Sequence, residues 1–414
     1  MVKHSALAFV FAFHLFGLFA QDIEYISGFA KQLSSPEMHG RAYVKKGDLR
    51  AAKFIINELR SSGVEPLQKN YRQPFSFPMN TFPGKMEVSL DSKKLKPVSE
   101  FVVSPNCKSI EGTFDVVYLP AEADTSDLIF DNISKMDYSN KFVVTPFSKR
   151  KINATNTINA AGFIIPKTSL IWWASNGHSV AELPIIHILN SLLLKKPTTL
   201  TINIKNKFIK KYSTQNIVGF IPGSELPDSF IVFTAHYDHL GLMGKGNIFP
   251  GANDNASGTA LVMGLAKYFS KAENKPKYSV AFIFFAAEEA GLLGSSYYTE
   301  NPVFPLKHIK ALINLDMVGS GSEGIAIVNS KANPQITNQI TKINDANNYF
   351  SNIKLRGESC NSDHCFFHKK GVPAIFIYTQ GPECIEYHNL NDVIDNVPFT
   401  KTLELQKLLI EFVK

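Results

Sequence analysis

The sequence predicts an α/β protein: a three-layer α/β/α sandwich with a largely parallel central sheet, interrupted by a small β-rich inserted domain. Three observations lead there. "FIVFTA", "YSVAFIFFA", "IKALINL" and "AIFIYT" are near-continuous apolar runs, the pattern of strands buried on both faces. "SGTALVMGLAKYFSK" and "TKTLELQKLLIEFVK" supply matching helices for the outer layers. Between residues 98 and 206 the character changes to short β-branched runs, "TFDVVYLP", "KFVVTP", "AGFIIP" and "TLTINI", separated by polar turns.

Taken in order, residues 1–20, "MVKHSALAFVFAFHLFGLFA", place one lysine ahead of an apolar run that ends at Ala20. This reads as a secretory signal peptide, so a secreted or periplasmic protein with no lasting membrane insertion is expected. "GDLRAAKFIINELRSSGVEPL" is an amphipathic helix, because Ala51, Phe54, Ile55 and Leu59 recur at three- and four-residue steps and Gly63 follows as a stop. The expected main domain is therefore 21–97 joined to 207–414, with 98–206 inserted. Lys and Arg exceed Asp and Glu by 43 to 36 with no long run of like charge, which argues against a nucleic-acid partner. Export permits disulfides, but Cys107 stands alone and Cys360, Cys365 and Cys384 cluster, so the pairing is not readable. Of three Asn-x-Ser/Thr sequons, at Asn132, Asn153 and Asn255, the last adjoins a candidate site residue and reads as a chance match.

The chemistry gathers at strand ends. His236 directly follows "FIVFTA", Glu288 and Glu289 follow "VAFIFFA" after one alanine, and Asp316 directly follows "IKALINL". Each residue by itself has an ordinary structural reading, and Asp254 in "GANDNASG" could simply cap the next helix. Delivered together at the carboxyl end of one sheet, they indicate a site. Two adjacent carboxylates after an apolar strand call for a cation, and mixed imidazole and carboxylate ligands favour zinc. Asp238 is placed to hold the other imidazole nitrogen of His236. His388 in "IEYHNLND" is the remaining histidine candidate; His364 in "SDHCFFHKKG" lacks a strand-end setting.

"AHYDHLG", "GANDNASGTA", "AAEEAGLLGS", "NLDMVG", "NSDHCFF" and "YHNLND" resemble, in order, the motifs of the co-catalytic zinc aminopeptidases of metallopeptidase family twenty-eight. The motif-bearing part spans about residues 215 to 400. The segment from Ser34 to Gly63 resembles the one that opens these enzymes, and the insert more weakly resembles a protease-associated domain. The resemblance implies two zinc ions bridged by Asp254, one completed by His236 and Asp316, the other by Glu289 and His388. It further implies that Glu288 is the general base, that Asp238 orients His236, and that Tyr387 donates to the oxyanion. The chain departs from the family in having Asn389-Leu390 after the final histidine, and Cys365 after the "SDH" motif.

The expected activity is hydrolysis of N-terminal residues from peptides that carry a free α-amine. A glutaminyl cyclase, or a dipeptidase or carboxypeptidase, uses a similar ligand set on the same fold. A receptor-like relative stripped of its metals is disfavoured, since every expected ligand is present.

Overall fold

The computed structural model describes residues 22–124, 126–145 and 158–414. The leader and the Asn153 sequon lie outside the described residues. Among the described residues, no helix is long and apolar enough to cross a membrane.

The four apolar runs form adjacent parallel strands, in the spatial order Tyr278–Phe285, Leu226–His236, Ile309–Leu315 and Ala374–Gln380. Successive side chains of a strand point to opposite faces, and here both faces are apolar. Val280, Phe282 and Phe284 enter the larger core, shared with the helices Gly47–Ser61, Gly258–Phe269 and Thr402–Val413. Ala281, Ile283 and Phe285 face a second core with Tyr298 of the helix Leu293–Glu300 and Phe367 of the helix His364–Lys369. Each fully buried side chain of this size contributes roughly 1.5–3 kcal/mol, which makes the layered arrangement the stable one. The predicted α/β architecture is thus present, although the sheet turns antiparallel at its flanks. Lys207–Ile221 pairs antiparallel with Tyr278–Phe285 on one side, and Gly324–Val328 does so with Ala374–Gln380 on the other.

Leu226–His236 is the first of the four in the chain, yet its neighbours on either side are the next two. The strand order therefore reverses at its carboxyl end, the position where open α/β sheets form a crevice. His236 is the last residue of this strand.

A second sheet of eight strands forms the insert. It begins at Met86–Leu90, earlier than the expected edge at residue 98, and closes with Thr199–Ile204. Those two strands pair with Val88 opposite Ile202, and Met86, Val88 and Leu90 are buried on one face. The alternation in "MEVSL" carried this signal, but the charged "DSKKLK" after it hid the strand. Cys360 and Cys365 form a disulfide, while Cys107 and Cys384 are free. Asn255 is fully buried, and its side chain donates to Leu315 O and accepts from Gly258 N, leaving no room for a glycan.

Candidate metal centre

All eight residues expected at the site converge beyond the carboxyl ends of the four parallel strands. Asp254 lies in the turn Ala252–Ser257 that leads into the helix Gly258–Phe269. It does not cap that helix; Asn255 Oδ1 accepts the Gly258 N–H instead, so the Asp254 carboxylate remains available. The loop returns through Gly251 at φ +59°, where a Cβ would come within 2.2 Å of Asp254 O and 2.5 Å of the His239 ring. Only glycine fits there.

Asp254 presents one oxygen to each histidine. Its Oδ1 is 3.4 Å from His236 Nε2, and its Oδ2 is 3.1 Å from His388 Nε2. Asp316 Oδ1 approaches His236 Nε2 at 3.3 Å, and Glu289 Oε2 approaches His388 Nε2 at 3.2 Å. Two groups result, each with one imidazole and one private carboxylate, sharing Asp254. Glu288 stands with His236 and Asp316, its carboxylate within 4.8 Å of their ligand atoms. Tyr387 stacks on His388, with ring centroids 3.9 Å apart.

The far nitrogen of each imidazole is fixed by a backbone carbonyl. His236 Nδ1 donates to Asp238 O at 3.2 Å, and His388 Nδ1 donates to Trp172 O at 2.9 Å. Each ring therefore turns its Nε2 towards the carboxylates, the orientation that a metal-binding histidine needs. Asp238 thus meets His236 through its backbone carbonyl. The carboxylate is 3.9 Å from the ring and accepts the N–H groups of Glu288 and Glu289 at 3.1 and 3.3 Å instead. Its effect is to fix the turn that holds both glutamates.

The donor set fits divalent cations. Asp238, Asp254, Glu289, Asp316, Asp363 and Asp392 are all buried in or around the site, and Glu288 is half-buried. Burial, reinforced by Glu289, Asp363 and Asp316 against the opposing His236, pushes the Glu288 carboxyl well above the usual range. Burial pulls the His388 imidazole down, but Glu289 and Asp254 outweigh it and raise it to about 11. Burial likewise opposes ionisation of Asp254, yet His236 and His388 hold it well below the ordinary carboxylate value. Asp316 Oδ1 is buried without a hydrogen-bond donor, as a ligand oxygen would be.

Several supporting residues carried little sequence signal. His239 donates Nδ1–H to Glu289 Oε1 at 2.7 Å. Asp392 accepts the N–H groups of Asn253 and Asp254 at 2.7 and 3.0 Å, which fixes the turn. A buried relay runs from Thr234 through Asn314 and Ser362 to Asp316 Oδ2. Arg41 is completely buried and donates to the carbonyls of Leu33, Tyr237, Pro250, Gly251 and Asp254. "HYDHLG" did place His239 near the site, but the others act through backbone atoms or from distant segments.

The model of peptidase family M28 matches residues 216–413. The probable aminopeptidase YDR415C of Saccharomyces cerevisiae is 29% identical over 224 residues, covering 51% of this chain and 59% of the relative. Aminopeptidase YwaD of Bacillus subtilis is 30% identical over 213 residues, covering 47% of this chain and 43% of the relative. The chain thus spans about half the length of the curated relatives it matches. The structure of BSAP, a zinc aminopeptidase from Bacillus subtilis, superposes with a TM-score of 0.71 at 20% identity over 94% of this chain and 93% of that one. This last likeness shows a common fold across both sheets. Residues 216–413, which carry every ligand-type side chain from His236 to His388, are the part of the chain that matches peptidase family M28.

Proposed function

We propose that this protein is an exported metallo-aminopeptidase that removes N-terminal residues from peptides with a two-zinc centre. The observation that carries the reading is the placement of Asp254, one carboxylate oxygen towards His236 and the other towards His388. Asp254 would bridge the ions, with His236 and Asp316 holding one and Glu289 and His388 the other. When bound, the zinc ions supply Lewis acidity and a water that ionises near neutral pH. The apolar leader supports a secreted or periplasmic location.

The residues of the chain divide the remaining work. Glu288 takes a proton from the attacking water as its oxygen bonds to the scissile carbonyl carbon, then passes that proton to the leaving amine as the C–N bond breaks. Its raised affinity for a proton suits both halves of that task. Burial, then Asp254, Glu289, Asp316 and Glu288, keep the Tyr387 hydroxyl protonated far above its ordinary range, so it is a donor for the oxyanion. The carboxylate-rich floor attracts the substrate's α-ammonium, which restricts cleavage to the chain end.

Metal analysis and a peptide panel test this together. Zinc should approach two ions per chain, free-amine peptides should be cut, and N-acetylated versions should be left intact. A single zinc with conversion of N-terminal glutamine to a lactam would replace the peptidase reading with a cyclase.

A further inference from the structure

The loop between the insert strands Ala160–Lys167 and Ile185–Leu189 touches the metal centre in two places. Trp172 O accepts from His388, and further along His178 reaches the turn that carries Glu288 and Glu289. The His178 ring lies between two carbonyls, with Nδ1 3.0 Å from Pro78 O and Nε2 2.6 Å from Ala290 O. A carbonyl oxygen only accepts, so both nitrogens donate and the ring that makes both bonds is doubly protonated. Phe77 meets the ring edge-on at 5.9 Å, and Asn80 N–H bonds Gly177 O at 2.6 Å, which fixes the loop on the strand Arg72–Thr81. That strand is tied to the central sheet through Lys207–Ile221. One nitrogen of His178 therefore grips the framework and the other grips the glutamate turn.

Residues 287–292 need such a support. Ala287 sits at φ +58° and Leu292 at φ +61°, the left-handed region that a Cβ disfavours, with Gly291 at φ +105° between them. A backbone of this kind persists where its surroundings hold it. Ahead of Ala290 the hold comes from Asp238, which accepts the N–H groups of Glu288 and Glu289. At Ala290 it comes from His178. Glu289 has a further anchor, because His239 bonds its carboxylate. The hydrogen bonds that position Glu288 are those of its backbone, the N–H to Asp238 and the carbonyl from Gly291 and Leu292. A shift of the turn is thus felt first at Glu288.

We propose that His178 is a positioning residue for Glu288, closing from the inserted domain the turn that aims this carboxylate at the attacking water. The work assigned to Glu288 rests on the aminopeptidase reading above, whereas the grip on the turn does not. The insert thereby takes part in the chemistry, since it orients a ligand through Trp172 and the base through His178.

Hydrogen exchange of the full chain reads the grip without any turnover. Peptides covering residues 287–293 should exchange roughly tenfold faster in His178→Ala, and by a smaller factor in His178→Gln, which keeps one donor. Zinc content should match the wild type. In His178→Ala, kcat on a free-amine peptide should fall about tenfold with KM changed by less than about twofold. Placed in the Glu288→Gln background, the same substitution should lower kcat by less than about twofold, because no base is left to aim. A residue that merely supports the scaffold would cost the same factor in both backgrounds. Unchanged exchange in 287–293, an equal loss in the Glu288→Gln background, or a loss of zinc would overturn the proposal. If the wild type cuts peptides while exchange and kcat are the same in all three proteins, the positioning role falls and the peptidase stands. If exchange behaves as expected but no protein cuts a peptide, His178 still holds the turn and the peptidase reading falls.

Discussion

His239 and Glu289 are joined by a hydrogen bond of 2.7 Å, Nδ1 to Oε1, that leaves Glu289 Oε2 facing His388. The imidazole thus selects which oxygen of Glu289 is offered as a ligand. His239→Ala should weaken zinc retention by roughly 10- to 100-fold, the usual cost of losing a partner that orients a ligand. Chelator competition would show the loss, and unchanged zinc affinity would remove His239 from the metal site.

The two adjacent glutamates should separate cleanly. Glu288→Gln is expected to keep the zinc and the fold while lowering turnover on the order of a hundredfold or more. Glu289→Gln should lose zinc. The opposite pattern would exchange the base and the ligand.

Arg41 ties the segment before the helix Gly47–Ser61 to the metal loop through the Pro250, Gly251 and Asp254 carbonyls. Lysine keeps the charge but cannot span these acceptors with a planar fork. Arg41→Lys is expected to cost on the order of 3 kcal/mol, since carbonyls are left without donors in a buried setting. Denaturant unfolding measures it, and a cost under 1 kcal/mol would show that the clamp is dispensable.

Asp48 gives a pH dependence away from the ligands. Burial raises its carboxyl from the ordinary 3.8 to about 6, against hydrogen bonds from Tyr212 and Thr214. A carboxyl raised in the folded state binds more protons there than in the unfolded chain. Its stabilising contribution is fully present below about pH 4 and is lost as the pH rises through about 6. The stability of the wild type relative to Asp48→Asn should therefore fall by about 2 kcal/mol between pH 4 and pH 7. Unfolding curves at both pH values would reveal a flat difference if the carboxyl were not buried as described.

The sequence by itself determined the central sheet and the ligand-type residues. Buried parallel strands must be apolar on both faces, so "FIVFTA", "VAFIFFA" and "IKALINL" were legible as strands, and the polar residues that end them were legible as a site. The motif order added to that reading the bridging role of Asp254 and the pairing of ligands to two sites, as expectations. The start of the insert at Met86 was less legible, because its two-residue alternation is brief and a charged turn follows.

Only the tertiary structure decided what holds those ligands in place. The carbonyl of Trp172, the Asp238 amide contacts, the Asp392 turn and the Arg41 clamp depend on backbone atoms, which are the same in every residue and leave no mark on composition or spacing. The pairing of His388 with Trp172 joins positions 216 residues apart, brought together because the inserted sheet packs against the loop that carries His388. Periodicity reports what a segment buries, whereas the orientation of an imidazole depends on which carbonyl the folded chain sets beside it.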